Sequence, residues 1–593
     1  MNARFPENLT PPLGSRIVRI TPSSRAAQPT VLTPGFAAAA DPCVSFSGDS
    51  ILFAGKRTDG ERWNIWRMSL LGDSAQAEAT QVTYDMGDCR EPFYMALGAI
   101  TPPEFTDKVR WVGFTSTAPG AYDERGIRPA TALYCQSLDS IEGRGIVTWR
   151  TTFNLSHDFS PTMLADGRVL FTSWRFGERK GERGIAGLLA SNWDGTGLNP
   201  FFGVQDGAFV KAMACEFPED RTVVFVESDG DAPLNAGSLA RIRMARPLAT
   251  HERISDAPGR FLTPHALPDG RMLVSYAADG VNYGIYRYDP AAKRLGPRVF
   301  DDPDWADMDP QAIAQRREPQ GRITIVVDSK DSGDIQCLNV YDSDNPRMRR
   351  VEKGSVKRVR VIEGLARRES RTPLDTVNAA TRVRLIGEAP VQPDGSFYLR
   401  VPADMPISFQ MLDEHGFSLV SMGTWVWVRR GDMRGCIGCH ENKELAPENR
   451  VPLALKLLRE DVLLPTPEAR MTADFRGGIA PIMSRSCAGC HRANHPTGLD
   501  LADDGREAIY RRLLTGASSD GTPLVRPGYA RESMLAWRVL GRRLEGTADS
   551  LRRMPPGMSL PEDEIRTMCL WIDLGAQFDS RPAGRVLSGD GGS

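Results

Sequence analysis

A phrase repeated loosely through the first half of the chain limits its fold more than any other feature. Each copy is a polar turn followed by a β-rich apolar run. The clearest are Ser47-Gly48-Asp49-Ser50 before Ile51-Leu52-Phe53-Ala54, Asp166-Gly167-Arg168 before Val169-Leu170-Phe171, Glu219-Asp220-Arg221 before Val223-Val224-Phe225-Val226, and Asp269-Gly270-Arg271 before Met272-Leu273-Val274. Weaker copies stand at 107–114 and 320–327. The turn residues suit a tight hairpin and the run after them a buried strand. A second strand follows at 63–68 and at 283–288. About six such units predict an N-terminal all-β propeller with four-stranded blades, whose radial stacking buries both faces of each blade and leaves few open edges. The alternative is an unrelated set of hairpins in a sandwich.

Two other stretches carry the chemistry. Cys436-Ile437-Gly438-Cys439-His440 and Cys487-Ala488-Gly489-Cys490-His491 are Cys-x-x-Cys-His runs, the pattern that attaches a c-type haem. Two thiols three positions apart can each form a thioether with one vinyl group, and the next residue, His, then lies beneath the iron. Cys436, Cys439, Cys487 and Cys490 are the predicted attachment residues and His440 and His491 the proximal ligands of two covalently bound haem c groups. Zinc and redox-dithiol chemistry compete, since Cys-x-x-Cys pairs serve both. Neither needs His directly after the second Cys of both pairs.

The repeat stops near Arg349. A basic patch at 349–360 reads as a solvated linker, with docking of an acidic redox partner as the alternative. A small β-rich segment follows, with Pro393-Asp394-Gly395-Ser396 as a turn and Trp425-Val426-Trp427-Val428 as a strand leading to the first motif. Beyond Cys436 the periodicity is helical, with helices predicted over 452–458, 474–484, 506–514 and 532–542. The last helix has a capping-box pattern, Ser559-Leu560-Pro561-Glu562, an apolar stripe of Ile565, Met568, Cys569 and Ile572, and Gly575 to close it. This second-motif segment resembles a small mono-haem cytochrome c. That resemblance implies Met554, in Met554-Pro555-Pro556-Gly557, as the distal ligand opposite His491, with Met558 as its rival. A His/Met pair raises the potential relative to two His ligands. His495 is expected to face solvent or a propionate. The first motif has no such loop, so its distal ligand is unassigned; His157 and His265, beside predicted strands, are candidates with an ordinary structural role as the alternative. The predicted division is 1–32 extension, 33–345 propeller, 346–430 β-rich middle domain, 431–580 mostly α di-haem cytochrome c domain, and 581–593 tail.

Lys and Arg total 73 and Asp and Glu 75, so the balance gives no reason to expect nucleic acid as a partner. No run approaches the roughly 18 apolar residues of a transmembrane helix. Haem attachment of this kind predicts a periplasmic or otherwise exported chain, although residues 1–32 show no apolar signal core. Cys43, Cys89, Cys135, Cys215 and Cys337 are expected as small buried side chains in strands, with disulfides as the alternative, and Cys569 as packing.

The order of parts resembles the hydrazine synthase alpha subunit family. The likeness is carried by Pro393-Asp394-Gly395-Ser396-Phe397, Val401-Pro402-Ala403 and the run from Trp425 through Arg434-Gly435-Cys436-Ile437-Gly438-Cys439-His440-Glu441. It implies a six-bladed propeller, a β-rich middle domain and a two-haem C-terminal domain. It also implies N–N bond chemistry at the first haem, where the motif His binds zinc and a Tyr four residues on ligates iron. Here that Tyr position is Glu444, which counts against carrying over hydrazine formation. His440 is then an ordinary iron ligand, or Glu444 substitutes; a zinc site using His440 and a thiol such as Cys215 is the lesser alternative. The reading reached is a periplasmic di-haem cytochrome acting in electron transfer as a subunit of a redox complex, meeting a redox partner protein or other subunits. The alternatives are a haem enzyme acting on a small nitrogenous or oxygenated substrate at the first haem, and a propeller binding module with accessory haems.

Overall fold

Two units divide the chain, 1–120 with 129–328 and 121–128 with 329–593. The structure, a computed structural model, describes residues 10–21, 29–72, 78–96, 109–175, 184–203, 209–230, 232–255, 259–369, 381–439, 446–457, 461–502, 505–544 and 551–579.

In the first unit the polar turns and apolar runs become antiparallel meanders of four strands. Their first strands are β1 (Ala38–Val44), β2 (Cys89–Tyr94), β3 (His157–Met163), β4 (Val210–Phe217) and β5 (Arg260–Ala266). The predicted apolar runs are the second strands, Ser50–Lys56, Trp111–Ser116, Arg168–Arg175, Thr222–Ser228 and Met272–Ala277. Every residue of Trp111–Ser116 and Thr222–Ser228 is buried, because these strands have a neighbour on each side and apolar packing on both faces. The third and fourth meanders join through one parallel pairing, Ala186 opposite Val210. First strands pack on one another in sequence order, β1 on β2 through β4 on β5.

Each first strand is interrupted by a left-handed residue: Asp41, Glu91, Ser160, Met213 and Thr263, four of them directly before proline. At all five the pairing slips by one residue, a β-bulge that frees the following N–H from the ladder and so tolerates proline. A sixth copy, left-handed Asp309 before Pro310, follows the fifth meander. The side chain at one break accepts from the backbone N–H of the next. Glu91 N donates to Asp41 Oδ2 (2.9 Å), Ser160 N to Glu91 Oε2 (3.0 Å), Thr263 N to Met213 Sδ (3.5 Å) and Asp309 N to Thr263 Oγ1 (3.2 Å).

The expected strand at 320–327 does not form. Ile323 and Ile325 are 60% and 54% exposed, and the segment is a strap over turns of other meanders. Trp193 Nε1 donates to Arg322 O (3.0 Å), and Thr324 Oγ1 to Asp194 Oδ2 (2.7 Å). Alternating apolar residues without a neighbouring strand to pair have nothing to drive their burial.

The second unit holds β6 (Ser332–Cys337), β7 (Arg358–Gly364), β8 (Val383–Pro390), β9 (Phe397–Pro402), β10 (Ile407–Leu412), β11 (Ser418–Ser421), β12 (Met433–Cys436) and β13 (Asp461–Val462). One sheet runs β8-β7-β10-β11 and is antiparallel; the other runs β12-β6-β9-β13, with β12 and β13 parallel to their neighbours. Trp425–Val428 is not the predicted strand: only Val426 bridges, to Ile407, although Val426, Trp427 and Val428 are buried. Nor is the basic patch solvated throughout. Arg360 is buried on β7, bonding Glu388 Oε1 (2.8 Å) and Gln410 Oε1 (2.9 Å).

The helices are α1 (Leu453–Lys456), α2 (Ala480–Ser486), α3 (Gly505–Thr515), α4 (Met534–Leu540) and α5 (Glu562–Asp573). A π-helical turn, Phe475–Ile479, leads into α2. Helix α5 lacks the expected capping box. It starts at Glu562, too late for Ser559 to cap it, and Ser559 Oγ instead accepts from Arg553 Nη1 (2.7 Å). Its stripe is as predicted: Met568, Cys569 and Ile572 are buried with Phe475, Ile479, Met483 and Tyr510. Cys43, Cys89, Cys135, Cys215 and Cys337 all lie in strands. Among the described residues no helix is long and apolar enough to cross a membrane.

Candidate functional site

The second motif continues a helix. Asp474 Oδ1 caps the π-helical turn at Gly477 N (2.6 Å), and α2 carries the chain into Cys487. Cys487 N donates to Met483 O (2.8 Å) and His491 N to Cys487 O (3.0 Å), so Cys487 and His491 sit one helical turn apart. Cys487 is half-buried against the helical core and Cys490 is exposed. His491 Nδ1 is buried without a hydrogen-bond partner among the described residues. Burial, then the neighbouring His495, hold the His491 pKa below its ordinary value, with the Leu499 backbone pulling the other way. The ring is therefore neutral near pH 7, the form in which imidazole ligates a metal. His495 lies with its ring centroid 4.3 Å from that of His491, and its Nδ1 hydrogen-bonds Thr497 Oγ1 (2.8 Å).

Met554 is half-buried in the turn before α5, its N–H on Arg538 O (2.8 Å); Met558 is 60% exposed. The two helical ends of this segment lie together, with Phe475 N on Gln577 O (2.8 Å) and the Phe475 and Trp571 rings 5.7 Å apart. Helix α5 is fastened to the antiparallel sheet through buried Asp573. Its carboxylate accepts from Ala530 N (2.9 Å) and Ser418 N (3.0 Å) and lies 3.6 Å from Arg360 Nη1.

The first motif is built on a strand end. Its thiols belong to β12 and the loop after it, and a segment the sequence reading missed, 337–343, holds that loop from below. Leu338 N donates to Cys436 O (3.0 Å), Asn339 N to Ile437 O (3.1 Å), and Ser343 Oγ to Cys439 O. Gly438 is required: a Cβ there would lie 1.9 Å from Asp342 O. The polar run Asn339-Val340-Tyr341-Asp342-Ser343 signals a turn in sequence, but nothing local says what it holds. Cys436 and Cys439 are half-buried; His440 and Glu444 lie outside the described residues. Upstream, Trp425 Nε1 donates to buried Glu124 Oε1 (2.8 Å), a contact sequence reasoning also missed.

The remaining candidates lie in the first unit. His157 on β3 is buried beside Trp174, with Nδ1 at 3.3 Å from Thr131 Oγ1. His265 on β5 is buried, and burial followed by the Arg316 charge pushes its pKa down to about 3. Cys215 accepts from Ala266 N (3.0 Å), and burial pushes its thiol up to about 12. Among the described residues, no group of three or more His, Cys, Asp or Glu is arranged to hold a metal ion.

Residues 354–441 match the family model described as the hydrazine synthase alpha subunit middle domain. The chain is 27% identical to hydrazine synthase subunit alpha of Kuenenia stuttgartiensis, across 96% of its own length and 89% of the relative's. It superposes on the solved structure of Kuenenia stuttgartiensis hydrazine synthase with a TM-score of 0.84, at 27% identity, covering 96% of this chain and 92% of that one. The chain is thus similar to hydrazine synthase subunit alpha over nearly its whole length. The middle-domain match runs through Cys436, Cys439 and His440, so the first motif belongs with the matched β-rich part and the second lies beyond it.

Proposed function

We propose that this chain is an exported c-type cytochrome carrying two covalently bound haems, and that it transfers electrons as a subunit of a redox complex. The observation that carries this reading is the second motif: Cys487 and His491 one turn apart, Cys487 against an apolar core, and a neutral imidazole with an orphaned Nδ1. A porphyrin iron bound there supplies one-electron chemistry. Cys487 and Cys490 would anchor it, and His491 and Met554 would supply its protein ligands. Cys436, Cys439 and His440 would do the same at the first site, where the 337–343 segment fixes the thiols. The relative is named as a subunit of hydrazine synthase, which supports work within a complex.

We read the first unit as a propeller of about six blades. Five meanders whose first strands pack in succession support this, as does the sixth left-handed copy, Asp309, bonded to Thr263 and close enough to Asp41 to feel its charge. A second reading, a small nitrogenous or oxygenated substrate handled at the first site, draws on the middle-domain match there. The test is the full chain produced in a host with a cytochrome maturation system. Denatured mass and pyridine haemochrome spectra should give two haems per chain, and a colourless product refutes the proposal. Two low-spin EPR signals would favour the carrier, and a high-spin component the substrate site.

A further inference from the structure

The register of the β12-β6-β9-β13 sheet sets a third thiol against the first motif. Strand β12 pairs in parallel with β6, with Ile335 opposite Arg434, Gln336 opposite Gly435 and Cys337 opposite Cys436. Opposed residues on neighbouring strands lie about 4.8 Å apart and face the same side. A disulfide spans Cα separations of about 4.4 to 6.8 Å, a range that includes the spacing of opposed residues. The register is held at both ends, by Asp334 N on Asp432 O (2.9 Å) and by Leu338 N on Cys436 O (3.0 Å). Cys337 is 2% exposed and Cys436 is half-buried at the open edge of the sheet. The alternative partner, Cys439, sits on a loop pinned by Ser343 and by the close approach of Gly438 to Asp342, whereas the strand pairing presents Cys337 already opposed.

We propose that Cys337 is the oxidation partner of Cys436: in a chain that has not received a porphyrin, the two form a cross-strand disulfide that withholds Cys436 from attachment. The Cys337 and Cys436 S–H bonds break and an Sγ–Sγ bond forms. The two protons and two electrons pass to a disulfide oxidant, such as oxidised glutathione or an oxidised dithiol protein, which is reduced to thiols. Thioether formation adds an S–H across a vinyl group without net oxidation, so an oxidised Cys436 must be reduced first. The consequence for attachment rests on the haem reading; the disulfide does not.

The test uses the full chain made in an oxidising compartment without haem supply, alkylated and digested without reduction. The expected product is a peptide joining Cys337 to Cys436, two hydrogen masses lighter than its reduced parts and lost on adding reductant. Cys439→Ser should keep that link, which guards against misfolding of Cys337→Ser. With haem supplied under oxidising growth, Cys337→Ser should raise occupancy at the first site and leave the second unchanged. Alkylated Cys337 in both the wild type and Cys439→Ser after treatment with oxidised glutathione would overturn the proposal. A colourless chain from a haem-supplied host would instead remove the haem reading and leave the crosslink standing.

Discussion

Glu91 gives the first unit a pH dependence that one substitution should remove. Its carboxylate accepts from Ser160 N (3.0 Å) and Thr115 Oγ1 (3.2 Å) at the second left-handed break. Burial, then the Asp41 charge, push its pKa from the ordinary 4.5 up to about 7, against the pull of those donors and of Arg90. A carboxyl that holds its proton more tightly in the folded chain stabilises the fold in acid. That contribution is complete below pH 4.5 and is lost as pH rises through about 7. At roughly 1.4 kcal/mol per pH unit, the difference is about 3 kcal/mol. Glu91→Gln keeps an oxygen for Ser160 N and cannot ionise. At about pH 8 the variant should therefore be the more stable protein by up to about 3 kcal/mol, with the advantage gone near pH 4.5. Guanidinium unfolding of the full chain, followed by tryptophan fluorescence across that range, measures it. Parallel stability curves for the two proteins would refute the reasoning.

Four further outcomes are expected. Gly438→Ala must push the first-motif loop off Asp342, breaking the bonds to Ile437 and Cys439; a loss of about 2–3 kcal/mol and a selective fall in haem at the first site should appear by haem-peptide mass spectrometry and denaturant unfolding. Asp573→Ala strips acceptors from Ala530 N and Ser418 N and leaves Arg360 with a weaker set of partners, a loss of about 3–5 kcal/mol; unfolding at the wild-type midpoint would contradict it. Tyr510→Phe deletes the bond to Ala576 O and keeps the ring packing, so denaturant titration should register only about 1 kcal/mol. Met554→Ala should shift the reduction potential of one haem, and Met558→Ala, at an exposed position, should leave both potentials alone in a spectroelectrochemical titration.

Much of this was legible in local pattern. The polar turns carrying Asp and Gly placed the second strands of the meanders at 50–56, 168–175 and 272–277, since hairpin turn chemistry and a run of apolar residues occur side by side in the chain. Helix α5 was marked by its stripe and Gly575, although its start was misread because Pro561 and the acidic turn imitate a capping box that Ser559 does not complete. The breaks in the first strands are written out as Asp41-Pro42, Glu91-Pro92, Ser160-Pro161 and Thr263-Pro264, with Asp309-Pro310 as a further copy after the fifth meander. They passed unread because the fourth copy is Met213-Ala214 and the intervals vary with loop length. What they do, one side chain accepting from the next backbone N–H, depends on strands meeting in space.

The two motifs divide along the same line. At the second, the chain from the Asp474 cap through α2 and the turn from Cys487 to His491 sets the spacing of the thiols and the imidazole, with the helical core packed against it. A helix is a local structure, so spacing alone nearly describes the site. The first motif has the same spacing and none of that support. Its loop is shaped by Leu338, Asn339, Asp342 and Ser343 through a parallel pairing, which always joins segments far apart in sequence. Two Cys-x-x-Cys-His runs of the same spacing therefore sit in unlike frames, one able to form with its helix and the other only after β6 and β12 have paired. Substitutions in 338–343 should for that reason disturb the first site alone, and this asymmetry, rather than the shared spacing, is where the two sites differ in what they can do.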